Sequence, residues 1–182
     1  MHHDIETLID NCNCIEFECM YFDLDCLQYL DLSKEVIRIK QQLMPKSSAI
    51  LEFSCLSPEA GPLSFECMAC TILFSPYIVN VRLGKRKNRT TMPLFTKVQD
   101  IVALLSTGTS LIENIANVSR EHARFLCAME GDLCYNRDIR QEHIAQVGLV
   151  GWREDRLLLL WEASLLLSGV LTRWRINVRR EE

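Results

Sequence analysis

Glycine and proline are scarce in this chain, at seven and five residues among 182, so neither a collagen-like repeat nor a low-complexity linker is present. None of the glycines falls into GxGxxG or GxxxxGK[ST], the turns whose backbone amides cradle phosphates. HExxH is absent too, which removes the helix-borne zinc site of that protease class. No apolar run reaches the roughly 20 residues that a membrane-spanning helix needs. The most apolar stretch, 157–172, interrupts itself with Glu162 and reads as a buried helix. Met1-His2-His3-Asp4 shows neither the basic nor the apolar region of a secretory leader, so a cytoplasmic or nuclear protein is expected.

What the chain does have is cysteine. Nine are present, an odd number in a chain too long to need a disulfide scaffold, and without export they are expected to stay reduced and to pack as small hydrophobes. Cys67-Met68-Ala69-Cys70 has the CxxC spacing of a zinc half-site, but no second CxxC or HxxxH pair accompanies it. In the apolar strand expected there, alternation sends the two thiols to opposite faces. No metal and no cofactor are expected. His122 and His143, each following a glutamate in a charged stretch, read as parts of solvated helix surfaces rather than as catalytic bases.

Charge is unevenly spread. Residues 1–35 carry nine acids and one lysine, whereas the remainder carries 19 bases and 15 acids. The first 35 residues therefore read as an acidic, cysteine-rich arm or helix packed on a single domain formed by 36–182. Arg82, Lys85, Arg86, Lys87 and Arg89 form a basic loop, and Arg173, Arg175, Arg179 and Arg180 a second cluster near the end. Such density can neutralise phosphates, or it can serve as a solvated loop tip or a protein-docking surface.

Periodicity changes along the chain. Leu24, Leu27 and Leu30, then Val36, Ile37, Ile39 and Leu43, have helical spacing that stops at Pro45. Apolar strand-like segments follow at 49–56, 63–73 and 77–83, separated by Pro- and Gly-containing breaks. After Pro93 helices are expected near 94–105, 109–130, 137–147 and 153–175, with a capping-box pattern at Ser110 and Glu113 and a break at Gly148 to Gly151. The expected architecture is α+β: a small antiparallel meander of about three strands in 48–83, packed against helices, with a helical C-terminal half. The order of a leading helix, a meander with Pro76-Tyr77 before its last strand, and trailing helices resembles RWD-type interaction domains.

With no catalytic constellation in the sequence, the expected function is a non-enzymatic protein-interaction subunit of an intracellular complex. Partner contacts are expected from Trp161, Leu165 and Trp174 on an apolar last helix, and from Phe17 and Phe22 in the arm, since aromatic residues anchor interfaces. The alternative is a nucleic-acid-binding protein using Arg82, Lys85, Arg86, Lys87, Arg89, Arg179 and Arg180. A protein partner or a homo-oligomer is expected, nucleic acid is the second candidate, and no membrane is involved.

Overall fold

A computed structural model describes residues 19–26, 32–58, 64–73, 97–108 and 110–181. Four strands form one sheet: β1 (Cys19–Asp23), β2 (Ser48–Leu56), β3 (Ser110–Asn117) and β4 (Leu171–Arg180). Five helices accompany them: α1 (Leu32–Gln42), α2 (Phe65–Leu73), α3 (Val98–Leu105), α4 (Ser119–Tyr135) and α5 (Arg137–Leu167). The strand order is β1-β2-β4-β3. β1 and β2 are parallel, whereas β4 runs antiparallel to both of its neighbours. The antiparallel meander is thereby corrected: β1, β2 and β3 all point the same way, and the last strand is inserted against them.

The parallel pair requires a crossover, and α1 supplies it. Val36, Ile39 and Leu43 recur at helical spacing and are almost fully buried. They meet Ile101 and Leu105 of α3 over the sheet face built from Phe22, Ala49, Leu51, Phe53, Cys55, Ile176 and Val178. Lys40 ties the two helices by donating to the Leu104 carbonyl at 3.1 Å and to Thr107 at the C-terminal end of α3. These donations occupy carbonyls that a helix end leaves unpaired.

The opposite face alternates with this one along every strand. It carries Tyr21 and Asp23 on β1, Glu52 and Ser54 on β2, and Arg173 and Arg175 on β4, in mutual register. Beyond its carboxyl end, a second core joins α2, α4 and α5 through Cys70, Ala123, Leu126, Ala163, Leu166 and Leu171.

Three elements differ from the sequence expectation, each for a local reason. Residues 65–73 form α2 rather than a strand: Ser64 accepts from the Cys67 amide at 3.1 Å as an N-cap. Cys67 and Cys70, three residues apart on a helix, then both turn inward. Residues 110–117 form β3 rather than a helix. A register shift between Ile112 and Asn114 puts Ile112 and Ile115 on the same face three residues apart, a spacing that imitates a helix. Finally, the expected helix 153–175 ends at Leu167, Gly169 adopts φ +77°, and the chain re-enters the sheet as β4. The leucine-rich segment is thus not buried all round, since Leu157 and Leu167 are exposed while Ala163 and Leu166 are covered.

The expected break at 148–151 is present as a single residue: Gly148 has φ 79° and ψ 169° inside α5. The expected strand at 77–83 lies outside the described residues.

Candidate functional site

Because β1, β2 and β3 point the same way, their carboxyl ends share one edge of the sheet. In open α/β sheets this edge is where ligands bind. Here it is organised by one side chain, Arg173, which is 1% exposed. Its Nη1 lies 3.0 Å from Asp25 Oδ2, its Nη2 3.2 Å from Asp23 Oδ2 and its Nε 3.0 Å from Glu52 Oε2. Asp25 is completed by the Ser54 amide at 2.8 Å and the Ser54 hydroxyl at 2.7 Å. A buried charge survives only when paired and hydrogen-bonded in this way.

Glu52 extends the network across the sheet. It accepts from Tyr21 Oη at 3.0 Å and from Arg175 Nε at 2.6 Å, and Arg175 reaches Glu121 in the first turn of α4 at 3.3 Å. Burial alone would raise the Glu52 carboxyl, but hydrogen bonding and charge from Arg175 and Arg173 hold it below the usual carboxylate value. Tyr21 is pushed up to about 12, chiefly by desolvation and against the opposing pull of Arg173, with the neighbouring Asp23 and Glu52 raising it further. Burial works against the Arg173 cation, yet Asp25, Asp23 and Glu52 together hold it more firmly protonated than a free guanidinium.

The α4 N-terminus closes the edge. Asn117 Oδ1 accepts from the Ser119 amide at 3.0 Å, Ser119 Oγ accepts from the Arg173 amide at 2.9 Å, and the Val118 amide donates to the Arg173 carbonyl at 2.9 Å. His122, one turn into α4, places Nε2 3.7 Å from Glu162 Oε1 on α5. His143 Nε2 lies 2.8 Å from Asp155 Oδ2, across the Gly148 break. Both histidine side chains are mostly covered, at 15% and 14% exposed, which corrects their reading as solvated surface.

The expected site residues are dispersed. Phe22 belongs to the core beneath α1. Trp161 Nε1 donates to the Ala69 carbonyl of α2 at 3.3 Å, and Leu165 packs on the second core. Trp174 lies against the sheet core and donates to Thr172 Oγ1 at 3.2 Å. Arg179 pairs with Glu113 at 3.5 Å, and Arg180 donates to the Leu43 carbonyl. Phe17, Arg82, Lys85, Arg86, Lys87 and Arg89 lie outside the described residues. Of the residues that organise the carboxyl edge, Asp23, Asp25 and Glu52 were missed, and Arg173 was grouped only with the basic cluster near the end of the chain. Their signal was the alternation of Trp174, Ile176 and Val178 with Arg173, Arg175 and Asn177, which marks a strand with one charged face.

No protein-family model and no curated protein matches the sequence. The fold does have solved counterparts. A mycolic acid cyclopropane synthase complexed with SAH matches 97% of this chain and 65% of its own at a TM-score of 0.65 and 12% identity. The cyclopropane synthase MmaA2 from Mycobacterium tuberculosis matches 97% of this chain and 65% of its own at 0.60 and 12%. A Haemonchus contortus phosphoethanolamine N-methyltransferase in complex with phosphomonomethylethanolamine and S-adenosylhomocysteine matches 91% of this chain and 33% of its own at 0.57 and 14%.

The fold is the one these solved structures share, of a kind found in S-adenosylmethionine-dependent methyltransferases. This Rossmann-like mixed sheet replaces both the expected meander and the similarity to RWD-type domains. It also runs against the reading as a non-enzymatic interaction subunit, because the structural neighbours include S-adenosylmethionine-dependent methyltransferases. The chain spans about one third to two thirds of the length of these neighbours. Among the described residues no helix is long and apolar enough to cross a membrane.

The residues present do not fit the nucleoside cofactor that this fold implies. β1 runs into a 3-10 turn, Leu24–Cys26, whose Asp25 amide donates to Asp23 Oδ1 at 3.1 Å and whose Asp25 carboxylate is taken by Ser54 and Arg173. That turn presents side chains where a cofactor cradle needs close-packed glycine backbone, and no two glycines in the sequence are separated by a single residue. Among the described residues no group of three or more His, Cys, Asp or Glu is placed to hold a metal ion.

Proposed function

We propose that this chain forms part of a methyl-transfer enzyme that uses S-adenosylmethionine. The observation that carries the reading is the sheet itself. Its co-directional β1, β2 and β3, with β4 inserted antiparallel between β2 and β3, belong to a fold that solved structures, among them a phosphoethanolamine N-methyltransferase, share over at least 91% of the chain. In this reading Arg173 and its carboxylates brace the carboxyl edge, so that the strand ends keep a fixed geometry where substrate is held.

The test is transfer of a tritiated methyl group from S-adenosylmethionine, catalysed by the protein isolated intact from its own cells, to small molecules and proteins of those cells. The expected result is label in an acceptor that depends on the protein and is suppressed by S-adenosylhomocysteine. Absence of transfer to both pools would overturn the reading.

A further inference from the structure

We propose that Cys67 and Cys70 form a reversible modification site, a dithiol that a hydroperoxide oxidises to a disulfide, loosening the hold of α2 on α5. The site operates whether or not the chain transfers methyl groups.

In the strand expected from the sequence the two thiols would face opposite ways. The helix Phe65–Leu73 instead sets them three residues apart, where side chains are neighbours on one face. Both are buried and reduced. The Cys70 thiol is pushed up to about 11 by burial first and by the charge of Cys67 second, which places the two sulfurs within each other's electrostatic reach. Helix geometry separates their Cα atoms by about 5 Å, inside the roughly 4.4–6.8 Å that a disulfide spans. Their Cβ atoms start about 5–6 Å apart and must come to about 3.5–4.5 Å, so the bond closes only when the first turn of α2 gives way.

The two cysteines differ in access. Cys67 lies in the first turn, its amide donating to Ser64 Oγ at 3.1 Å, between exposed Phe65 and Met68. Cys70 is fully covered in the core shared with Ala163 and Leu166 of α5. An oxidant therefore reaches Cys67 first. Its thiolate attacks a peroxide oxygen and the O–O bond breaks, which leaves a sulfenic acid and an alkoxide or hydroxide that takes up the thiol's proton. Cys70 then attacks the Cys67 sulfur; the S–O bond breaks, the Cys70 proton leaves with the hydroxide as water, and a disulfide remains. A dithiol reductant returns the two electrons. Ala69, between the pair, accepts from Trp161 Nε1 of α5 at 3.3 Å, so distortion of this turn releases a polar tie between the two helices.

The experiment reduces the full chain with dithiothreitol, removes the reductant, adds hydrogen peroxide, then unfolds and alkylates the protein with iodoacetamide. Digestion with trypsin and Glu-C releases fragment 67–82, whose only cysteines are Cys67 and Cys70. The expected fragment is lighter than the reduced one by two hydrogens, bears no alkyl group, and regains both thiols with dithiothreitol. Amide exchange over 67–70 in the oxidised protein should run on the order of tenfold faster. In Cys70→Ser, Cys67 should persist as a sulfenic acid that dimedone traps; if that variant fails to fold, the native fragment still decides. Two alkylated thiols in 67–82 at a peroxide dose that oxidises exposed Cys127 would overturn the site. So would bonds from either residue to another cysteine, or oxidation to sulfinic acid without the bond. A disulfide that left amide exchange unchanged would overturn the loosening of α2.

Discussion

Arg173 Nη1 and Asp25 Oδ2 lie 3.0 Å apart with both side chains 1% exposed, joining the end of β1 to β4 through the interior of the carboxyl edge. Removing one member of such a pair strands the other charge in a medium that solvates it poorly. Arg173→Met is therefore expected to destabilise the protein by about 3–5 kcal/mol. Urea unfolding followed by tryptophan fluorescence would measure it. A loss below about 1 kcal/mol, the range of exposed pairs, would show that the cluster is solvated.

Glu52 makes stability depend on pH. Its folded carboxyl sits below the ordinary 4.5, so the unfolded chain binds the proton more readily. The contribution is complete above about 4.5 and is lost as pH falls through the depressed folded value. Unfolding midpoints taken between pH 6 and pH 3 should fall with acid, and Glu52→Gln should reduce that slope. An unchanged slope would contradict the network.

Tyr21 offers an optical reading of the same cluster. Its phenol should ionise near pH 12 rather than at the ordinary 10, visible as a late step in the 295 nm absorbance when compared with Tyr21→Phe. Ionisation of all tyrosines near pH 10 in the folded protein would contradict the desolvation of Tyr21 in this cluster.

The cysteines separate by burial. Cys55 is pushed up to about 12 by burial with Asp25 and Asp100 adding to it, and Cys70 to about 11 by burial and Cys67. Since the thiolate is the nucleophile, neither should react with iodoacetamide at pH 8 until the protein unfolds, whereas exposed Cys19 and Cys127 should alkylate. Mass mapping of the modified peptides decides this.

Glycine positions test the backbone. Gly148 at φ 79° and ψ 169° occupies a region essentially closed to other residues, so Gly148→Ala should cost roughly 1–3 kcal/mol. Gly131 lies within α4 with nothing within 4 Å of an added methyl group, and Gly131→Ala should stabilise by about 0.5–1 kcal/mol. Thermal unfolding that moved both variants the same way would contradict the assigned dihedrals.

Legibility followed local pattern. β2, α1 and the Gly148 break were readable because Ile50 to Leu56, Val36/Ile39/Leu43 and an isolated glycine each state their period or its interruption within one element. β3 was hidden by its bulge, which gave Ile112 and Ile115 the spacing of a helix. β4 was absorbed into the preceding leucine-rich helix although Trp174 to Arg179 alternate strictly. Cys67 and Cys70 misled because apolar composition alone does not separate a short helix from a strand, and Ser64 as a cap was the deciding signal. The parallel pairing of β1 with β2, and the gathering of Asp23, Asp25 and Glu52 onto Arg173 about 120 to 150 positions away, are products of topology that no local window contains.

The position of β4 is the central structural claim, since it separates a methyltransferase-type sheet from a sequential meander. Backbone proton contacts in an isotope-labelled sample measure it directly. Ile176 of β4 should show cross-strand contacts to both Leu51 of β2 and Ile115 of β3, its partners in the register, with none between Leu51 and Ile115. Direct Leu51–Ile115 backbone contacts, with Ile176 beside neither, would contradict the fold and the function drawn from it.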